Sequence, residues 1–590
     1  MKGVSRATMV GLLHVSWKAS SSKEIQGRDG RNVECILPKF NAINLSRYKA
    51  MRLSIKSQSI AAFTTRSSES LITHLGLHLQ EETLLAYSIE SRTKMSSISS
   101  SLADIIPFTS RALHKFYEPL VLLEALNVAA KEAAGYPTTA ESPVIKDIKE
   151  LYHTFVYKLA HVCDNVKGGH HGGSITSIMI LCNTSGIIQY YFASNNRTQE
   201  QLETTSNFID DLLQQLKGLR RRSSNQGLLI DPVLQSVLLF NQPRITVYLK
   251  RLDFQARECL KNYSSLEPEE SRSIAHAISD FLSSARPETP IPVEGPEFVT
   301  RCKVLIDQLI TMRQSQVGIL IEARAREGRM LGYRSQECWS EFQHTMSRIL
   351  AYPQSVQFLR KARKNWPELF EDYEIHAIPS SSPIQRPCRN KSQTADGIVG
   401  RMTRKQKEIE TFRSFVATLQ SFNLDARIQN QWRNESFRPI VHSEIILLDW
   451  LENNGGIEPY RFFNGWMYIG SSKPTCRLCH YYFEAHGSGV EHRPSHENLY
   501  ISWRFPDVFV SQGNQARDLR QVMMDRILVK IRKDAFQLVR QKVPPSYKEH
   551  DSNTFSAMIT FRDSYMIDER SVVDMDDVTS LMGEVSLDRK

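Results

Sequence analysis

The sequence predicts an α/β protein whose mixed-sheet module lies near the C-terminus, behind a long and largely helical region. Three observations carry this. Between residues 403 and 542, short strand-like and helical runs alternate in the order strand, strand, helix, strand, helix, strand. Residues 109–375 place apolar side chains at helical intervals, as in Ile145 to Cys163 and Phe298 to Thr311. Residues 376–402 turn polar and rich in Pro and Ser through Pro379-Ser380-Ser381-Ser382-Pro383 and Arg386-Pro387-Cys388, the composition of a linker.

The elements follow in chain order. Residues 1–108 are basic and Ser-rich, with 12 Lys or Arg against 3 acidic residues in the first 68. They read as an unstructured arm, an organelle presequence being the second reading. Within the helical region a break at Asn165 to Ser174 precedes a hairpin, Ile175 to Leu181 and Ile187 to Phe192, turned by Asn183-Thr184-Ser185-Gly186. Gln199 to Leu219 returns to helix. Gly168-Gly169-His170-His171-Gly172-Gly173 invites a metal reading with His153, His161 and Cys163, but adjacent histidines rarely face one ion, and a turn into the hairpin is the simpler view.

In the module, Lys405 to Phe422 buries Ile409, Phe412, Phe415, Val416 and Leu419 on one helical stripe. Ala426 to Trp432 and Phe437 to Val441 read as strands, turned by Asn434-Glu435-Ser436. A helix from His442 to about Glu452 stops at Asn453-Asn454-Gly455-Gly456. Phe462 to Ile469 follows as a strand, Cys476 to Ala485 as a helix, and Leu499 to Trp503 as a further strand. The tail, 543–590, is acidic and reads as solvated, with one candidate strand at Phe555 to Phe561.

A chain of 590 residues has room for roughly two to four domains. No apolar run reaches the length of about 18 residues that a membrane span needs, so no membrane partner is expected. Seven of the nine cysteines are widely scattered without disulfide rhythm, which points to a reducing compartment, cytoplasm or nucleus. Net charge is +10, and basic clusters at Arg220-Arg221-Arg222, Arg360 to Lys364 and Arg401 to Lys407 could attract phosphates or end exposed helices. The helical region is the expected surface for a protein partner.

The chemistry concentrates between Val441 and Cys479. Zinc favours tetrahedral coordination by imidazole and thiolate, and a catalytic site leaves its fourth position to water. His442, Cys476 and Cys479 complete the protein share of such a site, with Zn2+ as the expected cofactor. Cys476 and Cys479 open a helix, whose free N–H groups favour neighbouring thiolates. Glu444 lies two residues past His442, about 200° round a helix, which suits a catalytic proton carrier rather than a ligand. Metal-activated water and one carboxylate fit hydrolytic deamination of an amidine carbon, such as C4 of cytosine or C6 of adenine.

His442-Ser443-Glu444, the strand Trp466 to Gly470, Lys473-Pro474-Thr475-Cys476-Arg477-Leu478-Cys479 and the later Ser495-His496-Glu497 to Trp503 resemble the cytidine deaminase superfamily, and within it a fungal deaminase-like group with long N-terminal extensions. The resemblance covers residues 403–542. It implies a three-layer mixed sheet flanked by helices, His442, Cys476 and Cys479 as zinc ligands, Glu444 as proton shuttle, and a nucleobase as substrate, free, as a nucleoside or in single-stranded nucleic acid. Thr475 departs from the family pattern, which places Pro directly before the first Cys. Tyr460, Phe462 and Trp466, flat rings near the motif strand, and His496, by position, are candidate pocket residues. The alternatives are a scaffold protein with a structural zinc closed by His486, His492 or His496, and an inactive deaminase-like regulator.

Overall fold

A computed structural model of the protein describes residues 104–134, 147–165, 174–219, 231–261, 268–285, 295–331, 338–387 and 393–541. The basic arm up to residue 103, the Gly168 to Gly173 run, the Arg220 to Arg222 cluster and the acidic tail with its strand at 555–561 lie outside the described residues. No helix among the described residues is long and apolar enough to cross a membrane.

The first elements are α1 (Ser110–Ala134), α2 (Ile148–Val162), the strands β1 (Thr176–Cys182) and β2 (Ile188–Ser194), and α3 (Gln199–Lys217). Six helices follow: α4 (Pro232–Phe240), α5 (Gln242–Lys261), α6 (Pro268–Ala285), α7 (Pro296–Gln314), α8 (Gln316–Leu331) and α9 (Cys338–Asn365). The chain then forms β3 (Tyr373–Ile378), α10 (Ala395–Met402), α11 (Gln406–Leu419), α12 (Leu424–Arg433) and α13 (Ser443–Asn453). It ends with β4 (Tyr468–Ser471), α14 (Arg477–His486), β5 (Glu491–His492) and α15 (Gly513–Gln541).

The strands make one mixed sheet in the order β3-β2-β1-β4-β5. β1 is antiparallel to β2 and to β4, while β2–β3 and β4–β5 are parallel. Side chains alternate across a strand, so Ile178 and Ile180 of β1 enter a core with α2 to α9, and Met179 and Leu181 enter a second core with α1 and α10 to α15. The result is three layers. Each fully buried Ile, Leu or Phe contributes about 1.5–3 kcal/mol to holding the layers together.

The hairpin stands where its turn residues place it. Asn183 Oδ1 accepts from the N–H groups of Ser185 and Ile187, both at 2.9 Å, and Gly186 takes φ +80°. The reading of 109–375 as a separate helical domain is corrected by the pairing. β1, β2 and β3 belong to the same sheet as β4, so the helices α3 to α9 form an excursion between two strands of the module. Residues 376–402, expected as a linker, contain the end of β3 and the helix α10, which buries Ala395, Ile398, Val399 and Met402, and Ser381 Oγ accepts from the Val441 N–H at 2.8 Å.

Three local expectations also change. Ala426 to Trp432 lies in the helix α12, because Leu424, Ile428 and Trp432 are spaced four apart and bury together in the second core. Phe437 to Val441 and Leu499 to Trp503 contribute only an isolated bridge, Ile440 with Trp503. Phe462 to Ile469 begins with short 3-10 turns, since Asn464 and Gly465 adopt φ +53° and +70°, and only Tyr468–Ser471 pairs as strand.

Gly470 in β4 sits under the backbone of α2. A Cβ there would lie 2.8 Å from Tyr157 N and 2.8 Å from Val156 Cγ1. Gly470→Ala is therefore expected to destabilise the fold by about 1–3 kcal/mol through overpacking, read as a lower denaturation midpoint. An unchanged midpoint would mean the two elements separate easily.

Farther along α13, burial and the neighbouring Glu452 and Asp507 push the Asp449 carboxyl up to about 7. A carboxyl raised in the folded state contributes most below its unfolded pKa, and that contribution is lost as pH rises toward 7. Asp449→Asn should thus raise the melting temperature at pH 8 relative to the parent, with the difference shrinking at pH 4.

Candidate metal centre

Two helix starts converge beside the sheet. His442 is the N-cap of α13, extended at φ −76° and ψ 151°, and Cys476 is the N-cap of α14 at φ −76° and ψ 161°. Cys479 lies one turn into α14. The start of α13 is clipped to the hairpin: Asn195 Oδ1 accepts from the Ser443 N–H at 2.8 Å, and the Ser443 and Ser177 hydroxyls bond at 2.7 Å. The start of α14 is clipped to the following loop, where the Arg477 N–H donates to Asn498 O at 3.1 Å and the His496 N–H to Thr475 O at 3.1 Å. Arg477 also pairs with Glu497 at 3.3 Å.

This framework brings His442 Nδ1 to 3.5 Å from Cys476 Sγ and 3.4 Å from Cys479 Sγ. All three ligand atoms lie within 4.8 Å of one another. A tetrahedral zinc with bonds of about 2.05 Å to nitrogen and 2.3 Å to sulfur requires an N···S separation of about 3.6 Å. Both N···S separations match that requirement closely, so the donor set fits the ion. His442, Cys476 and Cys479 form the one group of three or more metal-ligating side chains among the described residues.

Glu444 lies in the first turn of α13 at 4 % exposure, among His442 and both cysteines. Burial raises its carboxyl above the ordinary range, against the pull of His442. Burial opposes ionisation of Cys476, but hydrogen bonds from Cys479 and the charge on His442 hold it well below the usual thiol range. Cys479 is pushed well above that range by burial and by Cys476.

The pocket candidates stand at four different places. Tyr460 is 75 % exposed on a short turn. Phe462 is buried and bridges Leu181. Trp466 belongs to the opposite layer, with its ring 4.9 Å from that of Tyr152 and 6.0 Å from that of Trp366. His496 is buried beside the Cys loop, its Nδ1 accepting from the Asn498 N–H at 3.0 Å.

The histidines that would close a structural site have other contacts. His486 Nε2 bonds Glu452 at 3.2 Å, and His492 Nδ1 bonds the Arg493 carbonyl at 2.7 Å. Basic clusters are partly neutralised within the fold, since Arg360 pairs with Asp231, Arg363 with Glu371 and Arg401 with Glu118.

Sequence reasoning missed Asn195 and Trp503. Asn195 is 248 residues from its partner, and no local pattern announces such a contact. Trp503 reads as one core aromatic among many, yet its indole N–H donates to Cys479 Sγ at 3.2 Å.

Residues 441–507, which hold His442, Cys476, Cys479 and Glu444, match the family model of an OTT_1508_deam-like deaminase. The C-terminal module is deaminase-like. No curated protein and no solved structure matches the chain. The matched segment of the deaminase-like module includes β4, β5, α13 and α14 but not the hairpin that completes their sheet.

Proposed function

We propose that this protein is a zinc-dependent hydrolytic deaminase of a nucleobase, of the cytosine or adenine type. The observation that supports it most is the convergence of one imidazole nitrogen and two sulfurs at zinc-binding separations, with a buried carboxyl alongside. His442, Cys476 and Cys479 would hold the ion, leaving its fourth position to solvent. When bound, zinc supplies a water that ionises near neutral pH.

The chain's own share of the reaction falls to Glu444. Its carboxylate takes a proton from the attacking water and returns it to the ring nitrogen beside the amidine carbon. A second proton goes from the added oxygen to the amino nitrogen, the C–N bond breaks, and a carbonyl and ammonia result. One water is consumed and one ammonia released, with no redox change. The substrate is a base offered free, as a nucleoside or within single-stranded nucleic acid.

Metal analysis of the purified full chain, joined to an ammonia-release screen over free bases, nucleosides and single-stranded oligonucleotides, tests the reading. About one zinc per chain and ammonia from at least one class are expected. A chain that takes up no zinc, or releases no ammonia from any class while zinc-loaded, would overturn it.

A further inference from the structure

We infer that Trp503 is a positioning residue of the metal centre, whose indole N–H holds the Cys479 sulfur and tempers its donation to the ion. The inference rests on the zinc reading above. Trp503 is fully buried, and its Nε1 donates to Cys479 Sγ at 3.2 Å. A buried indole N–H requires an acceptor, and here that acceptor is a metal-ligating atom.

The same residue also frames the segment leading to His442. Its backbone bridges Ile440, two residues before His442, through Ile440 N–H to Ser502 O at 3.1 Å and Arg504 N–H to Ile440 O at 2.9 Å. The ring is held by Phe505, with centroids 4.8 Å apart, and by Phe116 and Tyr482, each at 6.1 Å. Tyr117 Oη donates to the Trp503 carbonyl at 3.0 Å. Trp503 thus links the segment that delivers the imidazole to the helix that delivers the thiolates, and α1 fixes it from outside the family-matched segment.

A hydrogen bond to a thiolate draws electron density from sulfur and fixes its direction. Groups of this kind behind a metal ligand typically change affinity about 10–100-fold when removed. Trp503→Phe keeps most of the ring and loses the donor. In the full chain loaded with Co2+, it is expected to weaken metal binding about 10–100-fold and to move the sulfur-to-cobalt charge-transfer band. Tyr117→Phe removes the bond to the Trp503 carbonyl but keeps the indole donor, so its band should stay where the parent's is.

Equal band shifts in both variants, or none in Trp503→Phe, would overturn the inference. A measurement on the parent chain avoids dependence on a variant's folding. With 113Cd in the site and 15N-labelled indoles, the Trp503 N–H should show scalar coupling to cadmium through sulfur, and its absence would likewise overturn the inference. If the parent takes up no metal at all, the deaminase reading fails with it.

Discussion

Glu444→Gln is expected to leave about one zinc on each chain and to lower ammonia release by on the order of 10²–10⁴-fold. Gln matches Glu in shape, so the first turn of α13 should pack unchanged around a side chain that is 4 % exposed. What disappears is the ability to accept a proton from water and deliver it to the base. The carboxyl is not in the three-membered ligand group, so the loss should fall on turnover rather than on metal content. Removing a carboxyl whose ionisation burial opposes should leave the melting temperature equal or higher. Activity at the parent level with zinc retained would remove Glu444 from the mechanism.

Cys476→Ala should abolish zinc uptake and, with it, the stabilisation that zinc confers. Ligands that bind only the folded state add about 2.7 kcal/mol at one hundred times Kd. Zinc added to metal-stripped parent protein should therefore raise the melting temperature by several degrees, and zinc added to the variant should not. The effect is expected to be near complete, because one imidazole and one buried sulfur cannot make a tetrahedral shell without water filling half of it. A variant that still gains the full zinc-dependent shift would mean that the ion binds elsewhere on the chain.

Much of the site was legible because its chemistry is local. His442 and Glu444 are two residues apart and Cys476 and Cys479 three apart, each set at a helix start, so residue type and spacing were enough to nominate them. The helices with strong apolar stripes, such as Gln406–Leu419 and Pro296–Gln314, were equally readable. Strands were not. Ala426 to Trp432 carries enough apolar and aromatic residues to pass for a strand, and only its burial against the second core shows that the four-residue spacing prevails. Trp466 lies before the paired strand Tyr468–Ser471, directly after the 3-10 turn at Phe463–Gly465, and its place in the first core beside Tyr152 and Trp366 follows from contacts distant in sequence.

The sequence by itself nominated His442, Cys476 and Cys479 as a candidate metal-ligating group, with Glu444 close by, and placed the hairpin turn, since each nomination depends on residues close along the chain. Only the tertiary structure decided that the hairpin at 176–194 and the strand at 373–378 share a sheet with 468–471, that Asn195 anchors the helix of His442, and that Trp503 reaches the sulfur of Cys479. These contacts join residues up to hundreds of positions apart. Their energy comes from burying two faces of one sheet and satisfying polar groups inside it, which no local pattern of residues can express.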